Sequence, residues 1–153
     1  MSVDGNRREE TGWSGSGGGS SLFETAPAFQ AGWQSDAGRS VPDVSYNGDA
    51  STGVPVYISN SDFTESGWIQ LGGTSAGAPQ WAGLIALANS ARLSPLSTTG
   101  NAVYGAANEG YAPAYIDIIF GSNGGFFAGT RYDYVTGLGS PRAEWLVPAL
   151  SGF

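Results

Sequence analysis

The chain contains no cysteine, no histidine and no lysine. Without cysteine it forms no disulfide and performs no thiol chemistry, so its composition does not mark a redox compartment. Without histidine it cannot complete a His-dependent catalytic triad from its own residues, nor build a histidine zinc site. Charge is scarce as well: 12% of residues are ionisable Asp, Glu, Lys or Arg, about half the usual share. The six basic residues are all Arg and face thirteen acidic ones, for a net charge of −7. Nucleic acid and anionic membranes both need a basic footprint, so neither is an expected partner. No run of about eighteen apolar residues occurs, and no membrane-spanning helix is expected. The opening string MSVDGNRREETGWSG is polar, without the apolar centre of a signal peptide.

What the chain has in quantity is glycine and aromatic side chains: 25 Gly, 7 Tyr, 7 Phe and 5 Trp among 153 residues. That length is enough for one domain with a buried core. Residues 1–12 read as a polar, disordered segment, and residues 13–153 as the folded part. The string WSGSGGGSS at 13–21 is either a flexible linker or backbone stripped of side chains so that a ligand can approach. Residues 41–46 (VPDVSY) read as a short buried strand, and residues 54–59 with 68–71 as a hairpin. Residues 76–92 (AGAPQWAGLIALANSAR) form the one long helical candidate, apolar nearly all round and therefore expected to be buried in a core. Pro79 is placed in its first turn, where no intrahelical N–H is needed. A shorter helix is expected over 99–107, loop with short strands over 117–141, and a closing helix through Leu150 capped by Ser140-Pro141. Trp13, Trp33, Trp68 and Trp81 read as core residues.

The string LGGTSAGAP at 71–79 holds the candidate nucleophile, Ser75. A serine where a helix begins has backbone N–H groups and a favourable dipole for a developing oxyanion. The competing reading is that Thr74 or Ser75 caps the helix. Gly73-x-Ser75-x-Gly77 also matches the nucleophile elbow of α/β-hydrolases, but that elbow needs a later histidine and none follows.

The longer pattern G-T-S-A-x-A-P before an apolar helix is shared by subtilisins and sedolisins, and GGTSAGAPQWAGLIALAN resembles the sedolisins, the serine-carboxyl peptidases. Further segments match that family in order. ETGWSGSGGGSS (10–21) resembles its Gly-rich substrate side, Phe29-Gln30 its Pro-x-Tyr/Phe-Gln, and RSVPDVSYNGDA (39–50) its R-x-x-P-D-V-S strand. Asp117-Ile118 with YDYVTGLGSP (132–141) resembles its C-terminal calcium site and tail.

The resemblance implies an α/β, subtilisin-like fold of which this is the C-terminal portion, a mostly parallel sheet with a buried central helix. It implies a serine-type endopeptidase acting at acid pH through an acyl-enzyme on Ser75. The family activates its serine with a Glu/Asp pair four residues apart on an upstream helix, and no Glu-x-x-x-Asp occurs in this chain. The family's oxyanion-stabilising Asp likewise has no counterpart here. The chain alone is therefore expected to be inactive, with the N-terminal half of the domain as its missing partner and a protein or peptide as substrate. Ser16, Gly17, Gly18 and Gly19 would lie along the substrate. Asp117 and Asp133 would supply carboxylates to Ca²⁺, with backbone carbonyls from Ile118, Gly129 and Arg131; the family usually has Gly at the position of Arg131. Asp43 is read as structural, bonding loop backbone. The full-length enzyme is expected to be secreted. The alternative is a non-catalytic, calcium-stabilised secreted binding module or a truncated gene product.

Overall fold

The structure is a computed structural model describing residues 9–59 and 66–153. Its strands are β1 (Gly19–Thr25), β2 (Gly38–Val41), β3 (Val54–Ile58), β4 (Gly67–Leu71), β5 (Tyr115–Ile116) and β6 (Ser140–Pro141). Its helices are α1 (Thr74–Ser90), α2 (Thr99–Ala114) and α3 (Ala143–Ser151), and single helical turns lie at Ala28–Gln30 and Ala50–Thr52. The expectation of a mostly parallel sheet does not hold here. Among the described residues the named strands form three two-stranded sheets, β1-β2, β3-β4 and β5-β6, each antiparallel.

Local chemistry explains several boundaries. The β3-β4 hairpin pairs Val54 with Leu71 and Tyr57 with Trp68, as the alternating pattern requires. Its connection over 60–65 lies outside the described residues. The strand expected over 41–46 is instead β2, ending at Val41, because Pro42 has no N–H to extend the ladder. Residues 43–45 take a different partner: Leu138 N–H donates to the Asp43 carbonyl at 2.8 Å, and Ser45 N–H to the Gly139 carbonyl at 3.0 Å. Gly137, at φ 61°, makes this approach possible, since a Cβ there would lie 2.4 Å from the Asp43 backbone. Ser140-Pro141 do not cap a helix. They pair with β5, and Arg142 is the residue before α3. Within the polar N-terminal segment, Gly12 N–H donates to the Phe120 carbonyl at 2.7 Å and the Ser140 hydroxyl to Glu10 at 2.5 Å.

The core lies among the helices. Ala102, Val103, Tyr104, Ala106 and Ala107 of α2 face Leu146 and Leu150 of α3, with Ala88, Tyr115 and Leu138 completing the cluster. Small alanines let the helices approach, and each fully buried leucine contributes about 1.5–3 kcal/mol. α2 kinks at Gly110, at φ −174° and ψ 90°, three residues before Pro113, whose ring cannot accept a regular preceding turn. The chain end is fastened by Arg92, whose guanidinium donates to the carbonyls of Leu150 (3.3 Å), Ser151 (3.1 Å) and Phe153 (2.6 Å). These are carbonyls a helix C-terminus leaves without partners.

α1 is not the buried helix its composition suggests. Of its 17 residues only Ala88 is buried, and Leu87 is 60% exposed. It packs on α3 along one side, while Trp81 and Ile85 line an open groove of about 510 Å³ shared with Val44 and Val103. The composition fits a helix covered on all sides, but these residues cover one. Each large side chain left in water forgoes about 1.5–3 kcal/mol. This chain in isolation is therefore expected to bind a hydrophobic dye strongly and to self-associate in sedimentation. A monomer that binds no dye and unfolds in one sharp transition would show that α1 is covered in solution.

Candidate functional site

Ser75 is the second residue of α1. The helix starts two residues earlier than its apolar pattern suggests, so Pro79 falls in the second turn and offers no N–H to the Ser75 carbonyl. The position preceding the helix is Gly73, at φ 111° and ψ 156°, with no side-chain capping bond. Neither Thr74 nor Ser75 therefore acts as the cap. Gly73 has a left-handed φ that L side chains rarely adopt, and its N–H donates to the Gly48 carbonyl at 2.5 Å. Ser75 is exposed, and its hydroxyl has no hydrogen-bonding partner among the described residues. Beside the helix start lie Gly48, at 3.4 Å from the Trp13 ring if it carried a Cβ, and Tyr46 against Gly77. Trp81 Nε1 donates to the Ser45 carbonyl at 3.1 Å and holds α1 to this segment.

Residues 16–19 are not a free linker. Gly19 pairs with Val41 as β1 begins, and a Cβ on Gly18 would stand 1.9 Å from the Tyr134 carbonyl oxygen and 2.8 Å from that of Val41. The glycine at 18 is thus demanded by the protein's own backbone. Gly17 meets nothing within 4 Å. A shallow groove of about 440 Å³ runs along Gly18, Gly19 and Ser20 toward Glu24 and Arg39.

The two aspartates proposed for a metal flank one loop. Asp117 accepts the Arg131 N–H with both oxygens, at 3.0 and 2.9 Å, and the Tyr111 hydroxyl at 3.0 Å. Asp133 accepts the N–H groups of Val135 and Thr136 at 2.7 Å each and that of Gly129 at 3.0 Å, with the Thr136 hydroxyl bridging its oxygens at 3.2 and 3.1 Å. Among the described residues no third His, Cys, Asp or Glu joins them, and the family resemblance assigns the further donors to main-chain carbonyls. An all-oxygen set of two carboxylates and the carbonyls of Ile118, Gly129 and Arg131 fits a hard cation. Asp117 Oδ2 takes only the shared Arg131 N–H, which leaves it acceptor capacity. Arg131 keeps the position with a left-handed backbone, φ 66°, a conformation costing about 1–2 kcal/mol for an L residue. Its guanidinium forms no ion pair with either aspartate and lies 4.4 Å over the Trp33 ring.

A polar network around Asp43 joins the remaining segments. Gln30, fully buried, donates from Nε2 to the Ser40 carbonyl (2.8 Å), Asp43 Oδ1 (3.3 Å) and the Tyr104 hydroxyl (3.0 Å), while its Oε1 accepts the Ser40 N–H at 3.0 Å. The Tyr104 hydroxyl donates to Asp43 Oδ1 at 2.9 Å, and Arg39 pairs with Asp43 Oδ2. Asp43 is structural, as expected, but its carboxylate binds side chains; the loop backbone is met by its carbonyl. Tyr104 and Tyr111 were not singled out in the sequence. The one available signal was Tyr111 lying six residues before Asp117, and nothing local pointed to Tyr104. Burial raises both phenols above the usual tyrosine range, followed by the charge of Asp43 for Tyr104 and the hydrogen bond to Asp117 for Tyr111.

A glycine-led serine thus opens an apolar helix in a chain without histidine. No family model matches the chain. It is 34% identical over 131 residues to sedolisin of Pseudomonas sp. strain 101, covering 81% of this chain and 21% of that protein. Over 128 residues it is 33% identical to xanthomonalisin of Xanthomonas sp. strain T-22, covering 81% and 15%. The solved Pseudomonas sedolisin, a serine-carboxyl proteinase complexed with two molecules of pseudo-iodotyrostatin, superposes with a TM-score of 0.82 at 29% identity, over 99% of this chain and 44% of that one. The chain belongs to the sedolisin family of serine-carboxyl peptidases and shares the α and β elements of its subtilisin-like fold. It spans about a fifth of the length of the curated relatives it matches.

Tyr104→Phe removes one donor from Asp43 and is expected to destabilise the fold by about 1–3 kcal/mol. The buried phenols Tyr104 and Tyr115 and the partly buried Tyr111 and Tyr132 are all raised above the usual tyrosine range, desolvation being the largest cause. Their contribution is complete below about pH 10 and lost as pH rises beyond it, because the unfolded chain releases those protons first. Denaturant midpoints at neutral and alkaline pH check both points: Tyr104→Phe should lower the first and flatten the fall to the second. An unchanged slope would remove Tyr104 from the network.

Proposed function

We propose that this chain supplies the nucleophile segment of a secreted serine-carboxyl endopeptidase that cleaves protein or peptide substrates at acid pH. The observation that carries the reading is Ser75: exposed, without a hydrogen-bonding partner among the described residues, and at the second position of α1 in a chain with sedolisin homology. Its hydroxyl oxygen attacks the scissile carbonyl, forming an acyl ester and releasing the amine. The proton must leave to a base, and a serine hydroxyl without one is a weak nucleophile. The chain has no histidine and no Glu-x-x-x-Asp; membership of the serine-carboxyl family implies that the base is a carboxylate, supplied by sequence outside it. Carboxylate bases suit acid conditions in which imidazole is already protonated. The start of α1 contributes backbone N–H groups and dipole to the oxyanion.

Hydrolysis of a denatured protein at about pH 3–5 tests the assignment. The chain alone should show no turnover. Joined to upstream sequence carrying a Glu-x-x-x-Asp segment, it should gain turnover that Ser75→Ala abolishes. Ser75-dependent turnover by the chain alone would reveal a base within it. No gain on joining would favour a non-catalytic module.

Calcium is the second part of the proposal, held by the carboxylates of Asp117 and Asp133 with the carbonyls of Ile118, Gly129 and Arg131. When bound, the ion supplies a fixed positive charge that ties two loops together and takes no part in bond cleavage. Binding only to the folded state at about 100 times the dissociation constant stabilises by roughly 2.7 kcal/mol, or roughly 5–10 °C in the unfolding midpoint for a chain of this size. Thermal unfolding with calcium and with chelator should show this difference in wild type and lose it in Asp133→Ala. Equal midpoints in wild type would show that the site takes no calcium.

A further inference from the structure

Arg131 is the one non-glycine residue with a left-handed backbone among the described residues, at φ 66°. Glycine takes that conformation freely, so the arginine side chain must gain something in place. Two carboxylates flank its loop, yet the guanidinium ignores both and lies 4.4 Å over the centroid of Trp33. Trp33 is itself fixed: its Nε1 donates to Asn108 Oδ1 at 2.8 Å, its ring packs on Tyr111 at 5.3 Å, and Tyr104 meets it edge-on at 6.5 Å. Tyr111 then donates its hydroxyl to Asp117 at 3.0 Å, and Asp117 accepts the backbone N–H of Arg131.

These contacts close a ring. From Arg131 it passes through its side chain to Trp33, then to Tyr111, to Asp117, and back to the main chain of Arg131. The ring joins three places distant in sequence: the segment after the Ala28–Gln30 turn, the last turns of α2 beyond its kink, and the 129–133 loop. We propose that Arg131 and Trp33 form a guanidinium latch that holds the 129–133 loop closed on Asp117 with no metal ion present. The face of an indole attracts a guanidinium, and Tyr111 and Asn108 hold that indole in place. The left-handed turn at residue 131 presents its N–H to Asp117 and its side chain to Trp33 at once. Arg131 is thus a positioning residue: it sets where the Asp117 carboxylate and the loop carbonyls sit.

The test is made in chelator, so it stands apart from the calcium reading and can fail or succeed without it. Amide hydrogen exchange of the intact chain is followed by NMR at Arg131, with Val103 in the helical core as an internal control. In wild type the Arg131 amide should be protected in chelator. Trp33→Leu and Arg131→Gln should each lower that protection roughly two- to five-fold, the span expected for an exposed cation–π contact, with Val103 unchanged. Trp33→Phe, which keeps a ring face, should restore part of it, and the double variant should lose no more than either single one. Arg131 is exposed, so its glutamine variant folds independently of the outcome at Trp33. A wild-type Arg131 amide that exchanges freely in chelator would overturn the latch. So would protection unaffected by Arg131→Gln, or losses that simply add.

Discussion

The Asp43 carboxylate is the contact on which the arrangement of this chain depends. Its two oxygens take Gln30 and Tyr104 on one side and Arg39 on the other. Its carbonyl receives Leu138, and the Gly137 backbone lies directly against it. One residue therefore fixes the Ala28–Gln30 turn, the end of β2, the middle of α2 and the 136–139 segment relative to one another. A partly buried carboxylate tolerates this position because it is supplied with donors; removing one leaves the others mismatched. The small antiparallel sheets could not supply this fixation, since two-stranded ribbons are marginal alone.

Two consequences reach the candidate sites. Residues 43–45, held by 138–139, carry the Ser45 carbonyl that receives Trp81, and so locate α1 and Ser75. On the opposite side, Gln30 leads within three residues to Trp33, and Trp33 to the aspartate loop. The Ser75 segment and the loop proposed for calcium thus share one polar anchor. They differ in setting: both loop carboxylates accept N–H and O–H donors of the chain, with capacity left at Asp117 Oδ2, whereas the Ser75 hydroxyl has no partner among the described residues. A satisfied carboxylate cluster suits a structural role, and an unsatisfied hydroxyl at a helix start suits chemistry.

Much of this was legible in the sequence. Residues 54–59 alternate with period two, and residues 54–58 pair with 67–71 in the expected hairpin. The apolar run after Ser75 is helical, and the order of glycine, serine and aspartate motifs identified the family. The extent of β2 was not legible, because Pro42 ends the ladder while the residues beyond it pair with a segment about ninety-five positions away, a separation over which local patterns carry no information. Nor was the displacement of Ser140-Pro141 from helix cap to strand, which depends on β5 being present beside them.

What the sequence by itself determined is chemical inventory and periodicity: no imidazole, no thiol, a Gly-Gly-Thr-Ser string before an apolar run, Asp117 and Asp133 in a glycine-rich stretch, and the helix and hairpin periods. Tertiary structure alone decided which groups meet. Gln30 reaches Tyr104 across 74 positions, and Arg131 turns from two nearby carboxylates to Trp33. An apolar side of α1 left open in this chain was expected from its all-round hydropathy; packing decided which side α3 covers, because hydropathy records what a helix can bury and not what covers it.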